Sequence, residues 1–130
     1  MFVLDTNTLI HFFKGAGRVA DNLLAVAPKD VAIPAVVLYE LEVGVGNSST
    51  ANRRRKQLDA FAATVSVLPF DQKAARAAAE LRLELERQGK GIGPLDTLIA
   101  GTALAHGGVL VTHNTKEFRR VPQLRLVDWF

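Results

Sequence analysis

At 130 residues the chain has the length of one domain, and its 48% hydrophobic content is enough for a core without staples. It contains no Cys, which excludes disulfides and thiolate metal sites. Lys and Arg number 16 against 13 Asp and Glu, a formal charge of +3 that leans only mildly toward polyanionic partners. No stretch approaches the ~20 apolar residues of a membrane span. Asp5 interrupts the first apolar run before it resembles a signal segment. The expectation is one domain over residues 1–130, cytoplasmic, with no membrane role.

In chain order, FVLD (2–5) reads as a buried strand that ends in a carboxylate. Residues 7–14 read as a short helix stopped near Gly15 and Gly17, and 18–27 as a second helix stopped by Pro28. VAI (31–33) is a short strand, and Pro34 opens a helix over 35–46. Residues 50–64 form an amphipathic helix with Leu58, Phe61 and Ala62 inward, and VSVLPF (65–70) is a strand. The Ala-rich stretch 71–90 is the clearest helix, opened by Asp71 and closed near Gly89. Pro94 begins another over 93–108, ended by Gly107 and Gly108. VLVT (109–112) is a strand, 114–119 a helical turn, and 124–130 a closing strand. Strands alternating with helices predict an α/β fold with a parallel sheet covered on both faces. Ligands of such sheets bind beyond the carboxyl ends of the strands, where Asp5, Thr112 and Asn114 fall.

Three acids stand in apolar surroundings. Asp5 suits either the N-cap of the following helix or, if Thr6 is the cap, a ligand facing a cation. Asp96 falls at the third position of its helix, where a carboxylate gains about 0.3–1 kcal/mol from the helix dipole. It also shares a face with Ile92, Ile99, Ala100 and Ala103, and an acid on a buried stripe needs a partner. Glu40 shares a face with Val36, Val37 and Val43, a salt bridge to a nearby Arg being the plainer reading; Glu42 is rotated elsewhere. The histidines show no ligand spacing, and His113 either lies near the site or is a solvated loop residue. Neither a phosphate-binding glycine loop nor a nucleophile elbow is present. RRRK (53–56) is either a solvated helix face or a track for phosphates.

Brought together, Asp5, Glu40 and Asp96 would repel unless a cation compensates. An oxygen-only ligand set suits Mg²⁺ or Mn²⁺, ions that bridge carboxylates to phosphate oxygens and activate water for attack on phosphorus. A non-cleaving RNA-binding module and a phosphatase of small phosphoesters are the rival readings.

The segments FVLDTNTLI, IPAVVLYELEVG, GIGPLDTLIAGTALAHG and LVTHNTKEFRRVPQLRLVDW, in that order and spacing, resemble the PIN-domain ribonucleases, specifically the VapC-type toxins. The resemblance covers essentially the whole chain. It implies a three-layer PIN-like fold with a central parallel sheet, and a Mg²⁺- or Mn²⁺-dependent endoribonuclease leaving a 5′-phosphate and a 3′-hydroxyl. It carries acidic roles onto Asp5, Glu40 and Asp96, and orienting roles onto Thr6 and Thr112. Many members have T-x-D where this chain has Thr112, His113 and Asn114, so Asn114 and Glu117 are jointly expected to complete the ligands. The resemblance also implies a homodimer, a VapB-type antitoxin partner that places a basic side chain at the acids, and tRNA or rRNA loops as substrate. Leu23, Leu24, Tyr39 and Leu41 either line the antitoxin's groove or belong to the core.

Overall fold

The computed structural model describes residues 1–130. Its strands are short and few: β1 (Phe2–Leu4), β2 (Val31–Pro34), β3 (Ser66–Leu68), β4 (Val109–Val111) and β5 (Arg125–Val127). They form one sheet in the order β3-β2-β1-β4-β5, with every pairing parallel. In the centre, Phe2 stands beside Val31 on one side and Val109 on the other. Val3, Leu4, Ala32, Ile33, Leu110 and Val111 are fully buried, as the unbroken apolar runs of doubly covered parallel strands require.

Seven helices cover the sheet: α1 (Thr6–Lys14), α2 (Val19–Leu24), α3 (Ala35–Gly46), α4 (Ala51–Ala62), α5 (Gln72–Arg87), α6 (Pro94–Ala105) and α7 (Thr115–Phe118). The chain winds outward from β1 through β2 to β3, then returns past β1 to lay down β4 and β5. That reversal makes a switch point between β1 and β4 and opens a crevice at their carboxyl ends. The expected α/β architecture with an all-parallel sheet is therefore the observed one.

Helix α5 follows its sequence closely. Asp71 caps it, accepting the Ala74 N–H at 3.0 Å, and Ala74, Ala78, Leu81 and Leu85 recur on one buried face. That face lies on α6, where Gly101 lets the backbones approach. Inside α6, the Thr97 and Thr102 hydroxyls donate back to Gly93 O and Leu98 O at 2.9 and 2.8 Å, which satisfies them within the core.

Several boundaries differ from the sequence expectation. The helix expected over 18–27 stops at Leu24, and a 3₁₀ turn at Pro28–Asp30 leads into β2. The strand expected over 124–130 ends at Val127. There Asp128 accepts the Phe130 N–H at 2.9 Å, and Trp129 folds onto Phe2 with ring centroids 5.1 Å apart. The tail is pinned to the α1–α2 turn, since Arg18 N–H donates to Phe130 O at 2.6 Å and Asn22 Nδ2 to Trp129 O at 3.1 Å. On α3, Val36 and Val37 point inward, but Val43 is 48% exposed and Tyr39 59%. Leu23 and Leu41 belong to the core, while Leu24 is out at 79%. No helix is long and apolar enough to cross a membrane.

A Cβ added at Gly101 would sit 2.6 Å from Ala78 Cβ and 2.7 Å from its Cα, and backbone cannot swing aside. Gly101→Ala should destabilise the protein by about 1–3 kcal/mol through overpacking. Urea unfolding should show a lower midpoint at an unchanged slope; an unmoved midpoint would mean the α5–α6 contact is slack.

Candidate active site

β1 ends where its apolar run ends, and the next residue, Asp5, keeps the register by donating its N–H to Val111 O at 3.2 Å. Asp5 is 5% exposed. It is the N-cap of α1, its Oδ1 accepting the Thr8 N–H at 2.8 Å. Thr6 is therefore not the cap, and the two readings of Asp5 do not compete: one oxygen caps while Oδ2 takes no hydrogen bond from the chain. The Thr8 hydroxyl donates to Val111 O at 3.1 Å, tying α1 to the end of β4.

Thr6, one residue into the helix, donates its hydroxyl to Glu40 Oε1 at 2.7 Å. This bond joins α1 to α3 and fixes Glu40 half-buried. The alternative salt bridge belongs to Glu42, which holds Arg55 at 2.6 Å on the outer face. Arg55 also reaches Asp59 at 3.6 Å, and Arg54 donates to Gln57. RRRK is thus a partly neutralised helix face.

Asp96 lies at the third position of α6, after Gly93 as cap and Pro94 in the first turn. Glu117 reaches it from α7, its Oε1 accepting the Gly93 N–H at 3.0 Å and its Oε2 accepting from Asn114 Nδ2. The Asn114 N–H in turn donates to the hydroxyl of fully buried Thr112 at 3.0 Å. A relay from Thr112 through Asn114 thus aims Glu117 at the start of α6. The Asn114 amide nitrogen is engaged by Glu117, and no hydrogen bond of the chain reaches its side-chain carbonyl oxygen.

These contacts assemble Asp5, Glu40, Asp96 and Glu117 at the β1–β4 crevice. Burial pushes the Asp96 carboxyl up to about 7, helped by its hydrogen bond with Glu117 and by the negative charges of Glu117, Asp5 and Glu40. No ion pair of the chain reaches any of the four. No three acids or histidines are drawn together tightly enough to form a ready-made metal cage. The donor chemistry nevertheless fits a hard divalent cation: carboxylate oxygens, one of them free on Asp5, in a field that penalises every further negative charge.

The histidines form a cluster that their spacing did not foretell. His113 stacks on Phe130 at 4.3 Å, and His11 meets both rings edge-on at 5.9 and 4.9 Å. His113 Nδ1 lies 2.9 Å from Asp128 Oδ2. Burial opposes the Asp128 charge, yet the Phe130 N–H and His113 outweigh it and hold the carboxyl below its usual range. His113 follows Thr112 in sequence but faces the tail. Gly93, whose N–H holds Glu117, was also missed; only its place before Pro94 hinted at a cap.

The PIN domain family matches residues 2–124. The chain belongs to the PIN-domain family. This PIN domain is 37% identical over 128 residues to the tRNA(fMet)-specific endonuclease VapC of Shigella flexneri, covering 98% of this chain and 97% of that one. It is 37% identical over 131 residues to Ribonuclease VapC2 of Rickettsia felis, covering 99% and 98%. Among solved structures, VapBC2 from Rickettsia felis bound to a promoter DNA fragment superposes with a TM-score of 0.92 at 37% identity, over 99% of this chain and 98% of that one. DNA-bound VapBC from Salmonella typhimurium gives 0.92 at 34%, over 99% and 98%.

The raised Asp96 makes a signed prediction about stability of this PIN domain in chelator. The unfolded carboxyl titrates near ~3.9, so the folded form holds an extra proton between about pH 4 and the folded value of about 7. Stability from this group is complete below that window and declines as pH rises through it. Asp96→Asn should flatten the decline in urea midpoint between those limits; identical profiles for the two proteins would show that Asp96 ionises normally.

Proposed function

We propose that this chain is the toxin of a toxin–antitoxin pair and hydrolyses RNA phosphodiester bonds with the help of Mg²⁺ or Mn²⁺. The observation that carries this reading is the gathering of Asp5, Glu40, Asp96 and Glu117 at the switch point, with Asp96 resisting ionisation and no Lys or Arg paired to any of them. The names of the relatives, an endonuclease and a ribonuclease aligned over nearly their full length, support it.

Asp5, Glu40, Asp96 and Glu117 are the groups that would hold the ion, with the Asn114 carbonyl oxygen as a neutral fifth donor. When bound, such an ion supplies charge to the scissile phosphate and acidifies an attacking water. The chain's own residues supply position. Thr6 removes the freedom of Glu40, and Asn114, steadied by Thr112, does the same for Glu117. The Asp5 cap locks its carboxylate to the end of β1. Sites held this way lose little entropy when they engage a substrate.

A VapB-type antitoxin is the proposed partner, because the similar structures are VapBC complexes. A cavity of about 180 Å³ beside Glu40, with Ile10, Phe13, Leu41, Val45 and Leu58 in its wall, suits an apolar segment that delivers a cationic side chain to the acids. A homodimer is proposed with it. Among RNAs, tRNA comes first, on the name of the Shigella flexneri relative.

The test incubates antitoxin-free protein with tRNA in Mg²⁺, in Mn²⁺ and in chelator. Cleavage to 5′-phosphate and 3′-hydroxyl ends should need the metal. Asn caps a helix as well as Asp does, so Asp5→Asn should keep the fold while removing the charge. Its cleavage rate should fall by about a hundredfold or more, beyond the ~10–100-fold of changes outside the ligand shell. Full activity in that variant would sink the site assignment.

A further inference from the structure

Beside the acids lies a cationic notch. A depression of about 440 Å³ is lined by Gly89, Lys90, Arg119 and Arg120 alone. Gly89, in the left-handed region at φ +65°, turns the chain off the end of α5 and sets Lys90 on the notch wall. Arg119 and Arg120 follow α7. Two contacts tie these segments to each other and to the acids: Gly93 N–H donates to Glu117 Oε1 at 3.0 Å, and Arg120 Nη1 donates to Gly91 O at 3.1 Å. The Arg120 N–H donates to Glu117 O at 3.1 Å, so Arg120 follows an acid of the site by three residues on one turn of backbone.

The charge of this notch is not cancelled. Arg55, Arg82 and Arg87 are each held by carboxylates, whereas Lys90, Arg119 and Arg120 form no ion pair. Grouped cations repel one another, and a polyanion laid across them relieves that repulsion and releases counterions. A single small phosphoester would need no cations beyond the ion that the acids would hold. A cationic place beside the acids, joined to them through Gly91 and Gly93, fits a chain that carries phosphates at regular intervals.

We propose that Lys90, Arg119 and Arg120 bind backbone phosphates of single-stranded RNA next to the scissile bond, so that the strand crosses the loop between α5 and α6. This rests on the endoribonuclease reading above. The contacts go to phosphate, so they position the strand and add no base preference.

The test is the anisotropy of a fluorescein-labelled single-stranded RNA with full-length protein in chelator, at several salt concentrations. Lys90→Ala/Arg119→Ala is compared with wild type, and Arg120 is left in place because it braces Gly91. Binding should weaken roughly tenfold on losing two charge-assisted contacts. The slope of log K against log salt should become shallower by about 1.4. Lys90→Arg/Arg119→Lys, which keeps both charges, should keep the wild-type slope. In cleavage assays with metal, the alanine pair should raise KM more than it lowers kcat. If the alanine pair unfolds, Arg119→Glu is read by the same criteria. Wild-type affinity and slope in the neutralised variants would overturn the notch while leaving the nuclease reading intact. Wild-type protein that binds RNA but never cuts it would fail the nuclease reading, and the variants would still decide the notch. Wild-type protein that neither binds nor cuts would overturn both.

Discussion

Four carboxylates kept within one another's field are the constraint on which the rest of the structure depends. Each anion raises the cost of the next, and the cost appears at Asp96, whose carboxyl is pushed up to about 7. The chain holds three of the groups with neutral donors. Thr8 N–H holds Asp5, the Thr6 hydroxyl holds Glu40, and Gly93 N–H and the Asn114 amide hold Glu117. A Lys or Arg at any of these places would fix the same geometry and erase the field. Neutral hydrogen bonds fix the oxygens while leaving the net negative charge in place to attract a cation.

That arrangement needs the sheet order. Asp5 follows β1 and Thr112 follows β4, and these strands are neighbours although more than a hundred residues of chain separate them. Thr8 and Asp5 both bond to Val111 O, so α1 cannot shift without disturbing the end of β4. On the far side, the close α5–α6 contact at Gly101 seats the helix whose first turn carries Asp96. The packing of a glycine against Ala78 is thereby linked to the position of an acid about one and a half turns away on the same helix. Rigid elements of this kind hold a site more tightly than loops do.

The parts of this plan written in local pattern were legible. Apolar runs ending in Asp5 and Thr112 marked strands, Pro34 and Pro94 marked helix starts, and Asp71 marked a cap. Glu40 and Asp96 stood out because an acid inside an apolar helix is costly without a reason. What failed to show was non-local. The Glu117–Gly93 bond spans 24 residues and the Asn22–Trp129 bond 107, and no spacing announces them. The closing strand was read too long because Trp129 looks like strand sequence; its burial comes from Phe2 at the other end of the chain. The hydrogen bond from the Asn114 amide nitrogen to Glu117 is equally absent from any local pattern.

The distribution of charge follows from the same logic. A formal charge of +3 hides local groupings: acids without cations at the crevice, cations without acids in the notch beside it, and ion pairs such as Arg55–Glu42, Arg82–Glu86 and Arg87–Glu84 elsewhere. Glu117 and Arg120 are three residues apart across the end of α7, the spacing at which opposite charges usually pair. Here they turn away from each other, Glu117 to the Gly93 N–H and Arg120 to the Gly91 carbonyl. Both partners sit on the same loop, so one short segment, 91–93, keeps the two charges apart. A pair formed between them would cancel the field at the acids and the field of the notch together. Two opposite fields held side by side would serve a protein that attracts a cation at one place and a phosphate chain at the next.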